Sequence, residues 1–144
     1  MSSNTTHQVS TSSDVRSISR RAEIAGWVVT GLVTLLLLFD AISHLALPES
    51  VKDASYDLGL TDGDIITTGL VMLGCLALYL IPRTAILGAV LLTGYLGGAV
   101  TALMISEDEF AAGAWLPIAV GVVVWAGLWL RNSTVRSIMP LTTE

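Results

Sequence analysis

Four apolar runs, each close to the length of a bilayer crossing, constrain this chain more than any other feature. They extend from Ile24 to Leu47, Ile65 to Ile81, Thr84 to Ile105 and Phe110 to Leu130. A helix rises about 1.5 Å per residue, so roughly 20 residues cross about 30 Å of hydrocarbon. Of the 144 residues, 53% are hydrophobic and 13% charged, which leaves more apolar surface than one small core in water can bury. The sequence predicts an all-α fold: a membrane four-helix bundle, up-down-up-down.

The breaks between the runs carry their own signals. Residues 1–23 are mostly polar and lack apolar periodicity up to about Ser19, the composition of a disordered tail. After Pro48, the spacing of Val51, Ala54, Ser55 and Leu58 predicts a short amphipathic surface helix over 49–58, ended by Gly59. Thr61 with Asp64, and Ser106 with Glu109, fit capping boxes ahead of the second and fourth spans. Pro82 and Arg83 alone separate the second run from the third, which requires a tight hairpin. Residues 133–144 are expected to be a second polar tail.

Arginine placement predicts the orientation, because Lys and Arg accumulate on the cytoplasmic side of a membrane. Arg16, Arg20, Arg21, Arg83, Arg131 and Arg136 all fall on one side of the four-span scheme, and Lys52 falls on the other. Both termini are therefore expected in the cytoplasm, in a prokaryotic cytoplasmic membrane crossed several times. Trp27, Tyr79 and Trp129 are expected as aromatic anchors at the inner interface and Trp115 at the outer one. The competing reading of the first run is a cleaved signal peptide, with Arg16 to Arg21 as its basic region and Ala41 to Ser43 at the cut. The length of the run, and Asp40 within it, favour retention.

Asp40 and His44 lie one helical turn apart in the first span and share a face with Gly26, Thr30 and Thr34. An ionisable side chain near the centre of a span costs about 2.5 to 3.5 kcal/mol on insertion scales, so both are expected to face the interior. A carboxylate beside an imidazole can relay a proton or hydrogen-bond a quinone-like ring. The alternative role for the pair is structural: a headgroup-level histidine and an aspartate bonded to a neighbouring helix. Tyr95, near the middle of the third span, offers a phenol to the same interior or packs with one hydrogen bond. Gly94 and Gly98, with Gly97 and Thr101, form a GxxxG pattern expected to serve packing between helices within the chain. Pro117 is expected to kink the fourth span. Cys75, the one cysteine, excludes an internal disulfide, a CxxC pair and a multi-cysteine metal site. His7 carries no assigned role. No metal-ligand cluster, phosphate loop, nucleophile elbow or basic nucleic-acid patch is present in the sequence.

The run Leu78 to Gly98 (LYLIPRTAILGAVLLTGYLGG) resembles the central signature of the DoxX-like family of small four-helix membrane proteins. Leu38 to Leu47 and Val123 to Pro140 resemble that family's first and last helices. Relatives include a membrane subunit of a thiosulfate:quinone oxidoreductase, so the resemblance implies a small, non-catalytic subunit or accessory protein of a quinone-linked redox system. Quinone is the implied cofactor, and a redox protein or a second copy of the chain the implied partner besides the lipid bilayer. The sequence departs from the family pattern in having His44 where lysine is usual and Leu103 where histidine is frequent. A structural or interaction protein is the alternative function, and a small-solute or proton carrier the weaker one.

Overall fold

The computed structural model describes residues 19–106 and 113–139, and these are helical and turn throughout, with no strand among them. The helices are α1 (Arg20–Ala46), α2 (Glu49–Tyr56), α3 (Asp62–Leu80), α4 (Ala85–Ser106), α5 (Trp115–Arg131) and α6 (Ser133–Ile138). The first 18 residues with His7, the acidic residues at 107–109 with half of the second capping box, and residues 140–144 lie outside the described part.

Helix ends follow local chemistry. Ser19 caps α1, its hydroxyl accepting from the Ala22 N–H, so the helix begins at Arg20, four residues ahead of the apolar run. Thr61 and Asp64 form the expected reciprocal capping box at the start of α3. Thr84 closes the α3–α4 turn by donating to the Leu78 carbonyl at 2.8 Å. Two expectations at the far end of the chain are corrected. Pro117 lies in the first turn of α5, where a backbone N–H has no helical partner to lose, so it helps start the helix instead of kinking it. Residues 133–138 are a helix rather than a tail, because the Asn132 side chain accepts from the N–H groups of Thr134 and Val135.

α1 packs on α3 and α5, and α4 packs on the same two helices. The contact points show how closely the backbones approach. An added Cβ at Gly26 would lie 2.8 Å from the Arg131 backbone nitrogen, and one at Gly69 would lie 3.1 Å from the Ala41 carbonyl oxygen. Glycine at these two places lets α1 meet the end of α5 and the start of α3. Tyr79, at the centre of the cluster, is fully buried and donates to the Val124 carbonyl at 2.8 Å. It is a core residue, not the interfacial anchor expected of it. Its single donor meets an orphan-free environment, as burial of a phenol requires.

Large apolar side chains face outward as well as inward. The interior holds Thr30, Tyr79, Ala41, Ala89 and Gly127 among Val33, Leu37, Met72, Leu92 and Leu128, whereas Leu32, Leu35, Phe39, Leu116 and Val122 point outward, each more than 60% exposed. An outward apolar belt on this scale has no favourable solvent but lipid. α1, α3 and α4 are each long and apolar enough to cross a membrane; α5 is apolar and 17 residues long.

Candidate functional site

Charge separates to the two ends of the molecule. At one end, Arg131 leaves the last turn of α5 and slides its guanidinium between Trp27, 4.6 Å from the ring centroid, and Tyr79, 4.9 Å away. It donates through Nη2 to the Tyr79 carbonyl at 2.8 Å, satisfying one of the carbonyls that the end of α3 leaves without a helical partner. Arg136 does the same for the C-terminal turn, stacking at 4.3 Å on Trp129 and donating to the carbonyls of Trp129 and Leu130. These arginines hold helix ends together.

The opposite end, where α1 finishes and α3 begins, contains a cavity of about 660 Å³. Asp40, His44 and Tyr95 all line it. α1 supplies the first two at i and i+4, and α4 supplies the third from across the interior. The expectation that these three residues converge thus corresponds to a single hollow of about the size that accepts a small cyclic ligand. Within it the His44 Nδ1 lies 2.9 Å from the Asp40 backbone carbonyl and 3.9 Å from the Asp40 carboxylate. The shorter contact is the hydrogen bond; the longer is a weak electrostatic one. The His44 side chain is 22% exposed and the Asp40 side chain 52%. His44 is also held from behind, its Cβ packing against Gly69.

The glycines of α4 do something other than what their spacing predicts. A Cβ added at Gly94, Gly97 or Gly98 would meet nothing within 4 Å, so the GxxxG face does not pack against another helix of this chain. The close approaches fall at Gly26, Gly69, Gly88 and Gly127 instead. Gly94 and Gly98 line the cavity, where the missing side chains leave its room. Gly97 faces a second hollow, and the Thr101 hydroxyl turns back to the Gly97 carbonyl at 3.0 Å. That second hollow, about 760 Å³ between α4 and α5, is walled by Leu96, Pro117, Trp125 and Trp129. Both of its tryptophan N–H groups are already spent, that of Trp125 on Thr93 at 2.9 Å and that of Trp129 on the Met139 carbonyl at 3.1 Å, and no titratable group among the described residues faces it, so the chemistry lies in the first cavity.

Sequence reasoning missed three hydroxyls there. Thr67 and Thr68 from α3 and Ser55 from α2 line the same wall. The adjacent threonines at the start of an otherwise apolar run were the available signal. α2, with Leu58 and Leu60 after it, forms one rim of the cavity, and Asp62 fastens it: the Tyr56 phenol donates to Asp62, and the Lys52 ammonium stands 3.7 Å from it. The hydrogen bond to Asp62, with the negative charges of Asp62 and Asp53, holds the Tyr56 phenol above its ordinary pKa. A raised pKa in the folded state means that this contact stabilises the rim below the ordinary tyrosine value and is lost as pH rises through the raised one. In ultraviolet titration, Asp62→Asn should therefore move one tyrosine transition down toward the ordinary range; an unchanged titration would contradict the contact.

A helical fold with an outward apolar belt, three bilayer-length helices and a largely apolar pocket carrying a few polar groups defines a multi-pass membrane protein. The chain belongs to the DoxX-like family, whose model matches residues 28–127. The match runs from the third turn of α1 to within four residues of the end of α5 and contains Asp40, His44 and Tyr95; Arg131 lies beyond it. Comparison with curated proteins and with solved structures returns no match.

Proposed function

We propose that this protein is a small, non-catalytic subunit or accessory protein of a quinone-linked redox system in a prokaryotic cytoplasmic membrane. The observation that carries the reading is the convergence of Asp40, His44 and Tyr95 on one cavity whose remaining walls are largely apolar. A quinone headgroup needs a few directional polar contacts and an apolar surround, and both are offered here. The known redox role of one DoxX relative points the same way. The partner is a redox protein of the same membrane or a second copy of the chain.

In this reading α1, α3, α4 and α5 all cross the bilayer, up-down-up-down. The 17 residues of α5 give about 25 Å of helix, the lower end of what a span requires. Arg20, Arg21, Arg83, Arg131 and Arg136 occupy the ends and turn assigned to the cytoplasm, with both termini. The cavity then opens toward the outer face. A fluorescent protein fused after Glu144 should fluoresce, and alkaline phosphatase fused there should be inactive; active phosphatase would overturn the orientation.

The functional reading is tested with a photoreactive quinone analogue supplied in both oxidation states. Asp40→Asn keeps the size of the side chain and removes its charge. It should reduce labelling by the hydroxyl-bearing form about fivefold, the effect of taking the charge from one hydrogen-bond acceptor, about 1 kcal/mol. Equal labelling of both proteins would remove Asp40 from the pocket.

A further inference from the structure

Acceptors outnumber donors around the cavity, and that imbalance bears on the oxidation state of the headgroup it takes. The His44 Nδ1 sits 2.9 Å from the Asp40 carbonyl oxygen, which can only accept, so the ring proton is on Nδ1. In neutral imidazole the other nitrogen, Nε2, is then a bare acceptor. The Asp40 carboxylate is acceptor only. Thr67 and Thr68 spend their hydroxyl protons on their own helix, donating to the carbonyls of Gly63 at 2.7 Å and Asp64 at 2.8 Å. Each threonine oxygen turns remaining lone pairs outward. Against these four acceptors stands the Tyr95 hydroxyl, whose proton meets no acceptor among the described residues; the Ser55 hydroxyl can act either way.

We infer that this cavity selects a ring carrying hydroxyl groups, a hydroquinone or related phenol, over the corresponding quinone. The inference rests on the quinone-pocket reading above and adds the form of ligand. A hydroquinone donates one O–H to His44 Nε2 or the Asp40 carboxylate and accepts from Tyr95 at an oxygen. A quinone carbonyl satisfies Tyr95 but sets its own lone pairs against those of Asp40, His44 and the threonines, which lose water and gain nothing. The preference concerns binding alone and involves no electron transfer.

The test measures binding of three short-chain ligands built on one ring, a hydroquinone, its dimethyl ether and the benzoquinone, to the full-length protein in nanodiscs. Empty nanodiscs correct for partitioning, and anaerobic buffer keeps the hydroquinone reduced. The hydroquinone should bind at least about tenfold more tightly than the other two, the equivalent of one to two well-made hydrogen bonds. Asp40→Asn, whose amide also donates, should narrow the ratio. Quinone affinity equal to or above that of the hydroquinone overturns the inference and leaves the quinone pocket standing. Absence of binding by all three overturns both. The wild-type comparison needs no variant to fold.

Discussion

Gly88→Ala is expected to prevent the α3–α4 hairpin from closing, with a loss on the order of 3 kcal/mol or more and failure of the protein to accumulate. The added Cβ would stand 2.2 Å from the Tyr79 backbone nitrogen and 2.4 Å from its Cα, and no rotamer change relieves a clash with backbone. The displaced residue is Tyr79, whose phenol reaches Val124 and whose carbonyl receives Arg131, so the disturbance spreads from the hairpin to α5. Gly74→Ala is the matched control. Its Cβ would meet nothing within 4 Å, and it should change stability by under about 0.5 kcal/mol. Fluorescence-detected size exclusion after heating separates the two; equal melting would show that the helices do not approach at Gly88.

Arg131→Ala is expected to cost about 2 to 4 kcal/mol. It removes a charge-assisted hydrogen bond to the Tyr79 carbonyl and stacking on two rings at once, and leaves the carbonyl without its partner. Arg131→Lys keeps the charge but not the plane that lies between Trp27 and Tyr79, so it should recover part of the loss. The measurement is the unfolding midpoint in detergent. An alanine variant as stable as wild type would mean that the Arg131 clamp contributes nothing to joining α1, α3 and α5.

What could be read from the sequence was governed by distance along the chain. Thr61 with Asp64, Pro82 with Arg83, and Asp40 with His44 are separated by four residues or fewer, and helix geometry alone relates them. The glycines were legible as glycines but not by partner. Which of them meets a neighbouring backbone depends on how each helix is rotated, and that rotation is set by Tyr79, which reaches across 45 residues to Val124. The rotation that buries Gly26, Gly69, Gly88 and Gly127 turns Gly94 and Gly98 toward the cavity. Pro117 was misjudged because its effect depends on its distance from the start of the helix, which hydropathy alone placed at Phe110. The helix over 133–138 was hidden by polar composition, although Asn132 followed by Ser133 and Thr134 is a capping signal. Of the candidate site, the pair on α1 was legible from spacing. Tyr95 was legible as a phenol offered to the same interior, whereas the threonines of α3 join the site only through the packing of the helices.

The most direct test of the account is to find where a quinone-type photoprobe attaches to the wild-type protein. Digestion and mass spectrometry should place the label on residues that wall the cavity, such as Leu36, Val71 and Leu103, and excess unlabelled hydroquinone should displace it. Label confined to the lipid-facing side chains of Leu32, Leu35 and Phe39, and indifferent to competitor, would contradict the assignment of the cavity as a ligand site.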